Sequence, residues 1–244
     1  MKAELADAWH TIVPPRDGPH GPLPALLTAL TLLTGLVDAF SYLCLGHVFV
    51  ANMTGNVVFL AFAADGAAGF VWWTSVLAIV TFSVGALVGG RLAHRASHRG
   101  QHLLIATAAQ QVLITAAIVV AELSPSSYDG FWRAGLITVL GVTMGLQNAT
   151  ARALGVPDLT TTVLTLTITG ISADSAVAGG AGSHIGRRVV SIASMFLGAL
   201  VGVVLIHSGH SRWILLVALV LLIGVANVAA RARASTAEWT VRKP

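Results

Sequence analysis

Long apolar runs, separated by short polar patches, dominate the chain. No Asp, Glu, Lys or Arg occurs in 18–37, 39–64, 66–90, 100–121, 134–151, 189–211 or 213–230. Each run is close to or above the roughly 18 residues that a helix needs to cross a bilayer. Hydropathy alone allows eight helices, at about 24–43, 47–64, 70–92, 102–121, 131–150, 159–177, 187–207 and 212–230. Two of them are interrupted. The segment 47–64 carries Asn52, Thr54, Gly55 and Asn56 in "ANMTGN", and 159–177, "LTTTVLTLTITGISADSAV", is Thr-rich and ends near Asp174. The pattern predicts an all-α polytopic membrane protein.

Composition agrees. Of the 244 residues 55% are hydrophobic and 10% charged, with a mean hydropathy of +0.81. A soluble domain carries about 25% charged residues. Residues 1–23 read as a polar tail with proline breakers and no apolar stretch of signal-peptide type. Residues 24–230 form one transmembrane domain, and 231–244 a basic C-terminal tail. Cys44 is the single cysteine, which excludes an intramolecular disulfide and any cysteine-based metal or redox motif. The net charge of +4 is no nucleic-acid signal; in a membrane chain, basic residues report topology.

Lys and Arg accumulate on the cytoplasmic side of membrane segments. If all eight segments cross, with the N-terminus inside, nine basic residues lie inside and five outside. If 47–64 and 159–177 dip in and return, six helices cross. Only Arg133 and Arg212 are then outside, a split of twelve to two, and both termini are cytoplasmic. Charge favours six. Trp72, Trp73, Tyr128, Trp132 and Trp213 then fall at the outer interface, where aromatic residues concentrate.

The two halves echo one another. GALVG occurs at 85–89 and 198–202, "GLVDAFSYLCLG" (35–46) parallels "GLQNATARALG" (145–155), and "NMTGN" (52–56) has a looser counterpart in "VLTLT" (163–167). Two repeats are expected, at 24–121 and 131–230. With three crossings each they are inverted; with eight spanning helices they are parallel. Inverted repeats with broken helices are a transporter signature.

The segments "GLVDAFSYLCLGHVFVANMTGN" and "MGLQNATARALGVPDLTTTVLT" resemble the hallmark segments of the YoaK-type membrane proteins, the DUF1275 family of bacteria. The resemblance covers nearly the whole chain and implies a small multi-helix protein of the bacterial inner membrane, with its activity open. Leu166 departs from the family pattern, which implies a glycine echoing Gly55.

Candidate chemistry gathers at the interruptions. Asp38 lies inside an apolar helix, where a charge costs about 2.5–3.5 kcal/mol on insertion scales, so it is expected to face a cavity or a partner. Its repeat counterpart is the uncharged Asn148. A break near 53–56 would turn Asn52, Thr54 and Asn56 toward one cavity; the plainer reading is hydrogen bonding between helices. Thr161, Thr165 and Thr167, with their neighbours Thr160 and Thr162, belong to the second interruption, preceded by Asp158 as a helix cap. Gly85 and Gly89, like Gly198 and Gly202, form GxxxG pairs for close helix packing, within the chain or in a homodimer. His94, His98 and His102 would share one helical face if the 96–98 loop stayed helical, and contact with anionic lipid fits that basic stretch better than a metal. No catalytic motif and no metal or cofactor set is apparent. The expected function is a secondary transporter or channel for a small polar solute or ion, embedded in the lipid bilayer. The alternative is a non-transporting scaffold or sensor.

Overall fold

The structure, a computed structural model, describes residues 2–15, 18–124, 128–162, 164–175, 178–180 and 184–241. Arg16, Val163, Arg242 and Lys243, which enter the topology and repeat readings, lie outside the described residues. The helices are α1 (Lys2–Ile12), α2 (Leu23–Cys44), α3 (Met53–Ala64), α4 (Trp72–Arg95), α5 (Arg99–Leu123), α6 (Gly130–Leu154), α7 (Leu164–Ala173), α8 (Ile185–His207) and α9 (Trp213–Ala232), before a 3-10 turn at Glu238–Thr240.

Helices α2, α4, α5, α8 and α9 are long and apolar enough to cross a membrane. Helix α6 is as long, 25 residues, but Gln147, Asn148 and three threonines make it too polar to join them. The helices expected at 47–64 and 159–177 are shorter. Residues 45–52 and 155–162 leave helical geometry first, with positive φ at Gly46 and His47 and at Gly155, Asp158 and Thr161. The remaining α3 and α7 have 12 and 10 residues. At 1.5 Å per residue they reach only about 18 and 15 Å, short of the roughly 30 Å hydrocarbon core.

Helices α2 and α6 form the centre of the bundle. Leu27, Leu30, Leu33, Leu36 and Phe40 of α2 and Leu136, Ile137, Leu140 and Met144 of α6 are fully buried. Helix α2 packs on α8 and α9, α6 packs on α4 and α5, and α5 packs on α9. The closest pairs, α2 with α8 and α4 with α6, therefore join the two halves of the chain. Val80, Val84, Val112, Phe196, Val204 and Val220 are exposed on the perimeter, the reverse of a soluble protein.

Glycines set both crossings. A Cβ on Gly198 would stand 1.9 Å from the Leu32 carbonyl oxygen, and one on Gly85 2.1 Å from that of Val142. The reciprocal residues are Gly35, against Met195 O at 2.1 Å, and Gly145, against Phe82 O at 2.0 Å. One turn on, Gly202 faces Ala39 and Gly89 faces Ala149. All four GxxxG glycines thus serve contacts within the chain, and backbones approach there because no side chain intervenes.

The ends of the bundle are sewn differently. At one end Arg99 donates to the Leu154 carbonyl and, at 3.1 Å, to that of Trp239. The Trp239 ring closes over Gly21, so the C-terminal tail folds back on the bundle. At the other end the His47 ring bonds the Gly69 carbonyl at 2.9 Å, and Arg212 pairs with Glu122 at 3.1 Å. His47 precedes α3 and Gly69 follows it, so the two ends of this segment meet.

Three local expectations change. Residues 2–12 form α1, whose Asp7 carboxylate accepts from the Arg187 N–H at 2.9 Å, at the start of α8. A carboxylate there meets the positive end of the helix dipole. Asp158 caps no helix: α7 starts only at Leu164, and the carboxylate pairs with Arg188 at 2.9 Å. The histidine face does not form, because Ala96 and His98 are extended and break the helix between α4 and α5. His98 accepts instead from the Gln101 N–H, and His102 is buried beside Thr150.

Candidate functional site

The first broken segment, 45–64, is held by one carboxylate. Asp38 Oδ1 accepts from the backbone N–H groups of Val50 (3.0 Å) and Ala51 (2.9 Å), and its Oδ2 accepts from Asn52 Nδ2 at 2.5 Å. Asp38 is 4% exposed. It lies six residues before the end of α2, about 9 Å down the helix. Extended backbone at that depth carries N–H groups that lipid cannot satisfy, and the carboxylate satisfies two of them. Asn56 forms a second clamp. Its amide accepts from the Phe49 N–H at 2.9 Å and donates to the Phe49 carbonyl at 2.5 Å, copying a backbone pairing. The Phe49 ring stacks on Tyr42 at 5.0 Å and contacts Phe59 at 5.5 Å. Gly55 makes room for it: a Cβ there would lie 2.7 Å from the ring.

The second broken segment, 155–173, is tethered at a matching place. Asn148 also lies six residues before the end of its helix. Its Oδ1 accepts from Thr162 Oγ1 at 2.5 Å, while its Nδ2 donates to Met144 O at 3.0 Å. Asp38 and Asn52 are fourteen residues apart, as are Asn148 and Thr162. Thr162, ahead of "VLTLT", therefore takes the place of Asn52. The rest of the tether is ionic. Arg188 of α8 lies between Asp158 (2.9 Å) and Asp174 (2.8 Å), and Gly170 leaves room for its guanidinium.

A cavity of about 720 Å³ opens beside this second segment. Phe82, Ala86, Gly90 and Ala93 of α4 and Ala149 and Ala153 of α6 form its apolar wall. Asn148, Thr160, Thr162, His94 and Arg152 supply its polar groups.

Of the residues expected at a site, Asp38 meets Asn52, and Asn148 meets Thr162 at the cavity. Asn56 is buried and spends its amide on Phe49. Thr54 and Thr165 are exposed, Thr167 is buried, and Thr161 is buried with no partner for its hydroxyl among the described residues. The residues do not converge on one chamber. Sequence reasoning passed over Gln147, fully buried, which donates to Leu30 O (3.2 Å) and Thr34 Oγ1 (2.8 Å) and so joins α6 to α2. It also passed over Gln110, fully buried with no partner for either amide atom among the described residues. The available signal was an amide inside a charge-free run. Among the described residues no cluster of His, Cys, Asp or Glu could hold a metal ion.

The fold and its broken segments define a multi-pass α-helical membrane protein. A family model described as "Protein of unknown function (DUF1275)" matches residues 26–228, and the chain belongs to that family. It is similar to the UPF0700 transmembrane protein YoaK of Bacillus subtilis (strain 168), 32% identical over 154 residues. That match takes in 61% of this chain and 65% of the relative, so the chain spans just under two thirds of the relative's length. No solved structure matches.

Proposed function

We propose that the protein is a secondary transporter or channel for a small solute in the bacterial inner membrane, with six crossing helices and two re-entrant segments arranged as inverted repeats. One observation carries this reading. Two non-helical stretches interrupt the bundle, each tethered fourteen residues after a polar residue six positions from its helix end. Broken segments paired in this way supply the solute sites of inverted-repeat transporters. The reciprocal glycine crossings and the exchange of partners between halves support the same symmetry. The basic ends of α4 and α6 then face the cytoplasm. A cavity lies beside the second segment, near the end of α6 that this topology places in the cytoplasm. Asp38 offers coupling: a proton on the carboxyl would turn an acceptor into a donor and displace one of its three bonds. No nucleophile–base pair enters this reading, which leaves the protein without an enzymatic step.

The test has two parts. In a Cys44→Ser background, a cysteine at Ser97 should resist an impermeant thiol reagent in intact cells and react after permeabilisation; labelling from outside would favour eight spans. In proteoliposomes, stopped-flow light scattering with small polar solutes and monovalent salts should reveal a flux that Asn56→Ala alters. Asp38→Asn should remove any dependence on the proton gradient.

A second reading, a non-transporting scaffold or sensor, draws on Asn56, whose amide is consumed by Phe49. Under it, Asn56→Ala lowers detergent stability and no solute shows flux.

A further inference from the structure

The cavity beside the second broken segment has a chemistry of its own. Its wall is apolar from Phe82 and Ala86 to Ala149 and Ala153, and Arg152 gives it a full positive charge. Arg152 is exposed and has no ion-pair partner among the described residues. His94, also exposed, adds a second nitrogen-bearing group. The amide of Asn148 stands where the first half has the Asp38 carboxylate, and no acid among the described residues lines this cavity to repel an anion. The nearby acid, Asp158, is already held by Arg188. In the first half the position 110 residues before Arg152 is Tyr42, an uncharged ring stacked on Phe49. At this offset the first half therefore has no counterpart of the Arg152 charge.

We propose that the cavity binds an organic monoanion with an apolar body, its charged end at Arg152 and its body along Phe82, Ala86 and Ala153. This names the ligand class of the site above and rests on the transport reading for its role. An apolar wall with few polar groups is the usual make-up of a small-molecule site, and a guanidinium binds carboxylate or phosphate through paired N–H donors. A short-chain acid and the headgroup region of an anionic lipid both present this chemistry.

The two sources separate in nanodiscs. In phosphatidylcholine discs, calorimetry with hexanoate should show binding, and hexanamide, its neutral analogue, should show none. Arg152→Gln should weaken hexanoate by about tenfold or more, the loss expected for one charged hydrogen-bond partner. Arg152→Lys should retain part of it, and Arg95→Gln, outside the cavity, should match wild type. Ala153→Phe should block binding by filling the space without changing charge. If a lipid is the ligand, phosphatidylglycerol should stay bound in native mass spectrometry of wild type and be lost from Arg152→Gln. Hexanoate binding that survives both Arg152→Gln and Ala153→Phe would overturn the proposal. So would the absence of any Arg152-dependent binding of either hexanoate or phosphatidylglycerol. Binding without solute flux in vesicles would leave this site standing and remove the transport reading instead.

Discussion

The two broken segments do the same thing by different means. The first is neutralised from within: Asp38 serves two backbone N–H groups and an amide, and Asn56 serves both backbone groups of Phe49. Aromatic rings pack over that clamp. Among the described residues, the second has a hydroxyl–amide tether at the same depth and is also held by Arg188 of α8. A buried carboxylate with three donors is a strong, all-or-none fastening. Of the two pairs made by Arg188, the one with half-exposed Asp174 is the weaker, because water screens it. The fastening of the first segment thus centres on a buried carboxylate and that of the second on Arg188, and the cavity lies beside the second.

The frame around both should be equally intolerant, which isolates the contrast to the segments themselves. Gly198→Leu and Gly85→Leu each drive a side chain into a backbone carbonyl and should both abolish folded, detergent-stable protein in size-exclusion chromatography. If one survives, the two crossings are not equivalent. Next in size, Asp38→Ala strands three donors and should cost about 3 kcal/mol, read as the melting temperature in detergent. Asn148→Ala loses one tether, about 1 kcal/mol on the membrane scale. Equal losses would dissolve the comparison.

Asn56→Ala leaves two backbone groups of Phe49 unpaired and should cost about 1–3 kcal/mol. Leu166, 110 residues on and 71% exposed, should change to Ala within about 0.5 kcal/mol. Asp174→Asn should also have a small effect. That side chain is 53% exposed, and its pairing with Arg188 should contribute about 0–1 kcal/mol, shrinking further in high salt. A larger loss there would mean that the second segment is fastened as firmly as the first.

The helices of the bundle were legible because charge-free runs of bilayer length leave few other readings. The interruptions were legible for the same reason: amides and glycine within such a run must be explained. The partners were not. Asp38 finds its donors twelve to fourteen residues away, across a change of chain direction that no periodicity encodes. Arg188 draws Asp158 and Asp174 together over separations of thirty and fourteen residues, and alone each reads as a cap or a loop acid. Helix α1 was hidden by its shortness and polarity, and its docking depends on Gly186, where a Cβ would strike the Glu4 carbonyl. The cavity was hidden because, Phe82 apart, its apolar wall is alanine and glycine, the least informative residues in a chain of this composition.

The glycine crossings also bear on how the chain is made. Helix α2 finds its closest neighbour in α8, and α4 finds its own in α6, so neither half can complete its packing alone. Helices leave the ribosome in order, and the first half must wait in the bilayer with Gly35 and Gly85 facing lipid until the second arrives. Until then the stretch 45–52 relies on its bonds to α2 and α3, foremost those of Asp38 and Asn56. The firmer clamp therefore sits on the segment that is synthesised first and left longest without its partners.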